Sequence, residues 1–260
     1  MKITRKDFLR LSGLSVLAAG AVRTFEAAKA AGQSAIRPLR GSGGAPRKQL
    51  AMAIDLRKCR QRPGCDLCMK ACRDAHNVPV IADPRHEVKW IWNAPFAEVF
   101  PLEQSAYTER NYTGSPLPVL CNHCDEPACV RVCPTGATWK RSEDGIVMMD
   151  WHRCIGCKYC MVACPYEARS FNFVDPRPYI EHINSDFPTR SMGVVEKCNF
   201  CAERLAAGKQ PACVEACPAN AIAFGDSSDP NSPVCLALSA SFSLRRKPEL
   251  GTGPNVHSIV

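Results

Sequence analysis

The sequence of 260 residues predicts an α+β fold made of two small cysteine-bound modules with long loop insertions. Three observations predict it. Of seventeen cysteines, sixteen fall into four groups of four. Two of the groups read almost alike, CNHC…PACVRVCPTGA and CNFC…PACVEACPANA, so the chain contains an internal repeat. Between the second and third groups, GATWKRSEDGIVMMD reads as a β-hairpin, with strands Thr138–Arg141 and Ile146–Met149 around a turn at Ser142–Gly145. Hydrophobic residues make up 46% of the chain, which allows a packed core and excludes a disordered composition.

Taken in order, residues 1–30 read as an export signal. The start is basic, LSGLSVLAAGAV between Arg10 and Arg23 is uncharged and mildly apolar, and Ala28-Lys29-Ala30 offers a small-x-small cleavage site. That run is too short to span a bilayer as a stable helix. The stretch from Thr4 to Leu9 resembles a twin-arginine (Tat) signal, with Lys6 in place of the second arginine. Residues 31–48 form a Gly/Pro/Ser-rich linker. Residues 49–226 carry the cysteine groups, with one module from 49–90 and 193–226 and the other from 116–174. Residues 227–260 read as a C-terminal tail. The formal charge is +8, but the segment 1–30 holds Lys2, Arg5, Lys6, Arg10, Arg23 and Lys29 against Asp7 and Glu26, so half of it leaves with the signal. No nucleic-acid partner is expected from that charge.

The first set is Cys59, Cys65, Cys68 and Cys72; the second is Cys121, Cys124, Cys129 and Cys133; the third is Cys154, Cys157, Cys160 and Cys164; the fourth is Cys198, Cys201, Cys213 and Cys217. The last three end in Cys-Pro, and CIGCKYCMVACP matches the bacterial ferredoxin run C-x2-C-x2-C-x3-C-P. In that run three closely spaced thiolates wrap one iron–sulfur cube, and the fourth, one helical turn on, serves a neighbouring cube. Sets of this kind are complete only in pairs. A disulfide framework is the competing reading of an exported cysteine-rich chain, but such scaffolds are usually much shorter and do not repeat this pattern. Zinc ribbons use two C-x2-C knuckles per ion and fit the three-plus-one grouping poorly. The remaining Cys235 reads as a small buried hydrophobe.

With these sets placed, residues 49 to 226 resemble the four-cluster [4Fe-4S] ferredoxin subunits of polysulfide, dimethyl sulfoxide and nitrite reductase complexes. A narrower resemblance, in DFPTRSMGVVEKCNFCAERLAAGKQPACVEACP and RRKPELGTGPNVHSIV, is to the exported iron–sulfur subunit of the DsrMKJOP complexes of sulfur metabolism. The resemblance implies four [4Fe-4S] clusters in two ferredoxin-like two-cluster modules. It implies that Cys59, Cys65 and Cys68 share a cluster with Cys217; Cys198, Cys201 and Cys213 with Cys72; Cys121, Cys124 and Cys129 with Cys164; and Cys154, Cys157 and Cys160 with Cys133. It further implies an electron-transfer subunit, periplasmic and peripheral to the cytoplasmic membrane, with no catalytic residues or substrate site of its own. Its partners would be a quinone-interacting integral membrane subunit and a multihaem cytochrome c, or else a molybdopterin catalytic subunit acting on polysulfide or thiosulfate. The five-residue gap between Cys59 and Cys65 departs from the family's gap of two.

Outside the sets, His123 reads as a hydrogen-bonding neighbour of a cluster and His76 and His152 as surface residues. Trp90, Trp92, Trp139 and Trp151 read as packing, and Lys158 and Tyr159 as a solvated loop. Arg245, Arg246 and Lys247 read as a solvated tail, with a cytochrome-docking role as the alternative. Short helices are expected at Asp66–Ala75 and Glu126–Val132, and short strands at Ala168–Phe173 and Ala221–Phe224. The insertions 77–115 and 175–195 are expected to be ordered loops that cover clusters or dock partners.

Overall fold

The run LAMAID lacks the alternation of a strand with one wet face. It forms β1 (Leu50–Asp55), and all six residues are buried. In this computed structural model the described residues are 48–103, 105, 107, 112 and 117–260. Residues 1–30, read above as an export signal, and residues 31–47 of the expected linker lie outside them. Further strands are β2 (Ile91–Ala94), β3 (Leu117–Leu120), β4 (Thr138–Lys140), β5 (Val147–Met149), β6 (Ser170–Phe171), β7 (Val195–Glu196), β8 (Ile222–Asp226), β9 (Ser243–Arg245) and β10 (Val256–Ile259). The largest sheet has the order β8-β1-β10-β9, and β1 is parallel to β10 and antiparallel to β8. β1 is therefore flanked on both edges, and its faces are covered as well. Met52 and Ile54 enter the main core with Leu56, Trp90, Leu120, Tyr166, Phe200 and Phe224. Ala51 and Ala53 meet Val234 and Ile259 on the other face. A continuous apolar run is what such two-faced burial requires.

The remaining strands form two-stranded ladders, β2 with β3, β4 with β5 and β6 with β7. The hairpin read from sequence is the β4–β5 pair, with Trp139 opposite Met148. Its turn is tied to β1, since the Leu50 N–H donates to the Asp144 carbonyl at 2.9 Å. Helices are short apart from Leu67–His76, which ends on Asn77 in the left-handed conformation (φ 53°). Among the described residues no helix is long and apolar enough to cross a membrane.

Three expectations are corrected. Residues 227–260 are not a tail. They form the helix Pro233–Ser239 and the strands β9 and β10, and β10 fills the slot beside β1. Its four-residue strand follows a Gly- and Pro-rich stretch, so the local sequence hides a pairing that is entirely long-range. Arg246 and Lys247 are not solvated: they donate to the carbonyls of Tyr166 (3.4 Å) and Pro165 (2.8 Å). His76 is not on the surface, since only 1% of it is exposed. It closes the long helix, where its ring stacks on Trp90 with centroids 4.7 Å apart and meets Phe187 edge-on.

Insertion 77–115 contributes β2 and the helix Phe96–Val99 to the main core. Insertion 175–195 sends in Phe187 and Arg190, both buried. Trp139 is part-exposed, and His152 stands out into solvent. Cys235 is a free thiol on the helix Pro233–Ser239, packed against the small second core.

Candidate metal centres

Each cysteine set is held by local backbone chemistry that the sequence repeats. Asp55 caps the turn Leu56–Cys59, its carboxylate accepting from the N–H groups of Arg57 (3.0 Å) and Lys58 (3.4 Å). Asp150 does the same ahead of the third set, accepting from the His152 N–H at 2.9 Å. Both use an aspartate four residues before a cysteine to fix the approach to the first ligand. Inside the C-x2-C loops, His123 (φ 43°), Lys158 (φ 63°), Phe200 (φ 54°) and Cys201 (φ 54°) are left-handed. Successive turns of opposite hand direct main-chain N–H groups at sulfur. The Phe200 N–H lies 3.4 Å from Cys198 Sγ, the Ala212 N–H 3.4 Å from Cys201 Sγ, and the Ala221 N–H 3.3 Å from Cys217 Sγ. Gly156 is needed in the third loop, where φ is +69° and a side chain would collide with the Gly193 carbonyl.

The structure brings the sixteen cysteines into four groups. Site 1 is a cavity of about 220 Å³ lined by Cys59, Cys65, Cys68 and Cys217. Burial pushes the Cys59 thiol up to about 12, with Cys217, Cys68 and Cys65 beside it adding to the shift. Site 2 holds Cys72, Cys198, Cys201 and Cys213; burial drives the Cys198 and Cys213 thiols well above their usual range, and both face Cys72 and Cys201. Site 3 is a cavity of about 20 Å³ lined by Cys121, Cys124, Cys129 and Cys164. Site 4, of about 10 Å³, is lined by Cys133, Cys154, Cys157 and Cys160. In each site three cysteines of one set meet the last cysteine of another. The sites follow one another in space: Cys68 of site 1 acts on Cys213 of site 2, Cys121 of site 3 on Cys198 of site 2, and Cys129 of site 3 on Cys160 of site 4. Between sites 2 and 3 the repeated loops stack directly, with the His123 and Phe200 rings 3.7 Å apart. Cys65 and Cys157, in the two outermost sites, are exposed.

These donor sets fit iron–sulfur clusters. All seventeen cysteines are free thiols. Buried thiols with raised pKa values are neutral by themselves, whereas a bound metal deprotonates them outright. The N–H groups aimed at sulfur stabilise thiolate rather than thiol.

Apart from His123, which the sequence places beside a cluster, sequence reasoning missed the polar groups around the sites. His76 lies against site 2, with Nε2 2.7 Å from Glu203 Oε1 and Nδ1 3.7 Å from Cys72 Sγ. Burial opposes charge on His76, but hydrogen bonds to Cys201, Cys72 and Glu203 outweigh it and raise its pKa to about 12. His123 is buried and held neutral, by desolvation first and then by the nearby cations Lys197 and Arg169; its Nδ1 accepts from the Val147 N–H at 3.1 Å. Arg169 and Lys197 are both buried among the sulfurs. The signal available in sequence was positional: Lys197 directly precedes the ligand Cys198 in GVVEKC, and Arg169 in YEARSF follows Cys164 by five residues.

A chain that lines up four tetrathiol sites is a carrier of redox clusters. Residues 112–176 and 178–227 match the family model described as a 4Fe-4S dicluster domain. The chain is 38% identical over 98% of its length, and 97% of the relative's, to the Hdr-like menaquinol oxidoreductase iron–sulfur subunit 1 of Archaeoglobus fulgidus. It is 37% identical to the menaquinone reductase iron–sulfur cluster-binding subunit of Nitratidesulfovibrio vulgaris, over 80% of this chain and 87% of the relative. It is 36% identical to a tetrathionate reductase subunit of Salmonella typhimurium, over 98% and 88%. The chain belongs to this family of [4Fe-4S] ferredoxin-type iron–sulfur subunits.

Proposed function

We propose that this chain is the periplasmic iron–sulfur subunit of a membrane-bound, DsrMKJOP-like oxidoreductase of sulfur metabolism, peripheral to the cytoplasmic membrane. It relays electrons between a quinone-interacting membrane subunit and a multihaem cytochrome c. The observation that carries this reading is the unbroken order of sites 1 to 4 between two exposed ends. Sixteen thiols in two ferredoxin-like modules hold four [4Fe-4S] clusters: Cys59, Cys65, Cys68 and Cys217; Cys198, Cys201, Cys213 and Cys72; Cys121, Cys124, Cys129 and Cys164; Cys154, Cys157, Cys160 and Cys133. When bound, these clusters supply one-electron redox centres. The protein's own part is to fix their order, exclude water from the inner two and saturate every iron, which leaves no position for a substrate. The full-length similarity to a menaquinol oxidoreductase subunit supports the quinone-linked partner.

A second reading, the wire subunit of a molybdopterin reductase acting on polysulfide or thiosulfate, is favoured by the equally extensive match to the tetrathionate reductase subunit. Affinity purification of the chain from detergent-solubilised membranes separates the two. Co-purifying c-type haem and a many-spanning membrane protein, without molybdenum, supports the first reading; molybdenum with a large catalytic subunit establishes the second in its place.

The ligation makes its own prediction. Cys217→Ala removes one ligand from site 1, so iron content falls by about four atoms per chain. The spectra of the other three centres persist. Equal loss from all four would show general misfolding and overturn the assignment.

A further inference from the structure

The charges around the four sites are unevenly compensated. At site 1 the carboxylate of Asp55 acts on Cys59, and the cations in the lining, Arg60 and Arg62, are exposed to solvent. At site 2 the nearest polar pair is His76 Nε2 with Glu203 Oε1, 2.7 Å apart. Glu196, one residue before Lys197, is fully engaged by Arg190 at 2.7 Å. Site 3 differs. Arg169 is 5% exposed, and its Nη2 donates to Cys129 Sγ at 3.0 Å and to Thr138 Oγ1 at 2.8 Å; its Nη1 lies 3.8 Å from Met149 Sδ, and the guanidinium also acts, second to Cys129, on Cys160 of site 4. Lys197 is 1% exposed and donates to the carbonyls of Val147 and Cys198, with the sulfurs of Cys121, Cys198 and Cys129 around it. Among the described residues neither cation is paired with a carboxylate. A buried guanidinium without a counter-ion is very costly, and Arg does not lose its proton in proteins.

Asn122 is an independent sign. It lines the site 3 cavity, it is 1% exposed, and both its side-chain nitrogen and its oxygen lack partners. Its counterpart in the repeat, Asn199, is fully used: its oxygen accepts from the Cys201 N–H at 2.8 Å and its nitrogen donates to Glu203 at 2.8 Å. The Asn122 amide is thus left to a hydrogen-bond acceptor that the polypeptide does not supply.

We infer that Arg169, with Lys197 and the Asn122 amide, is the counter-charge for the anionic centre at site 3, and that it makes site 3 the highest-potential member of the array, where an entering electron comes to rest. The inference rests on the ligation proposed above. Net charge and hydrogen bonds to sulfur are the protein's main means of setting a cluster potential, and a charged donor at 3.0 Å supplies both. Arg169 is a positioning and charge-setting residue and undergoes no bond change. One electron leaves a neighbouring centre, which is oxidised, and reduces the centre at site 3, while the guanidinium keeps its proton.

The test is a redox titration of the purified cluster-loaded protein, followed by electron paramagnetic resonance, with iron content measured in parallel. Cys129→Ser first assigns the site 3 signal; if it alters no signal, the ligation reading fails, not the charge argument. In the wild type the assigned signal is expected to appear first on reduction. Arg169→Gln shifts its reduction equilibrium about tenfold towards the oxidised form, or ~59 mV for one electron. Arg169→Lys, which keeps the charge, shifts it less. Should Arg169→Gln lose the centre altogether, Lys197→Gln and Asn122→Leu carry the test from the other sides, each expected to lower the same signal. Site 1 serves as the internal reference. The inference is overturned if another centre is reduced first, if the site 3 potential does not respond to any loaded variant, or if all four potentials move together.

Discussion

Arg190→Ala is expected to destabilise the protein by about 3–5 kcal/mol, the range measured when one partner of a buried ion pair is removed. In a chain of this size that lowers the Tm by roughly 10 °C. Both side chains of the Arg190–Glu196 pair are completely buried, 2.7 Å apart. Desolvating two charges is costly, and the surroundings offset it. Arg190 donates to the carbonyls of His76, Asn77 and Pro188, and its guanidinium lies over the rings of Trp90, Trp151 and Phe187 at 5.5 to 5.7 Å. Glu196 also accepts from Trp90 Nε1 at 2.9 Å and from the Asn172 amide. The pair thereby joins the end of the long helix that bears Cys68 and Cys72 to the strand that leads into Cys198. Removing the arginine leaves a buried carboxylate without its counter-charge and three carbonyls without their donor. The double variant Arg190→Met/Glu196→Gln, which leaves no charge, should recover part of the loss. Anaerobic thermal denaturation of the loaded protein reads both. A fall in Tm of less than about 2 °C for Arg190→Ala would sink the prediction.

What can be read in the sequence and what cannot divides by range. The C-x2-C spacings, the aspartates four residues ahead of Cys59 and Cys154, and the β4–β5 hairpin are set by neighbours a few residues apart. Local pattern therefore reveals them. The grouping of the last cysteine of one set with the first three of another comes only through the family resemblance, because spacing alone does not say which neighbour Cys72 or Cys217 reaches. His76 reads as a surface residue since nothing nearby in sequence shows the Trp90, Phe187 and Glu203 that enclose it. The hydrophobic run around Lys197 gives no hint that its ammonium is spent on two main-chain carbonyls. The β10 strand is hidden for the same reason. Its partner β1 lies about two hundred residues away, a separation no local pattern encodes.

That long-range strand leads to the other large effect. Deleting residues 251–260 is expected to abolish the centre at site 3 and to leave little stably folded protein. The segment makes two sets of contacts. β10 pairs along β1 from Met52 to Asp55, and the Met52 N–H donates to the Asn255 carbonyl at 2.9 Å. Just before β10, the chain clamps the loop between Cys121 and Pro127. The N–H groups of Asp125 and Glu126 donate to the carbonyls of Gly253 (2.8 Å) and Thr252 (3.0 Å), and the Asn255 N–H donates to the Asn122 carbonyl at 2.8 Å. The Asn255 amide reaches the His123 carbonyl at 2.9 Å and Asp125 at 3.0 Å, while the Thr252 hydroxyl bonds Tyr166, two residues after Cys164. Ligand loops from two cysteine sets are thus fixed by one terminal strap. Asn255→Leu separates the two roles because it keeps the strand and removes only the side-chain bonds. It should cost about 1–3 kcal/mol, the penalty for leaving a buried carbonyl without its donor. Its effect should be confined: under a chelator or on exposure to air, the site 3 signal decays faster than in the wild type while the site 1 signal keeps its lifetime. If both signals keep their wild-type lifetimes, the terminal segment does not hold the centre and its contacts with the Cys121 loop are incidental to the sheet.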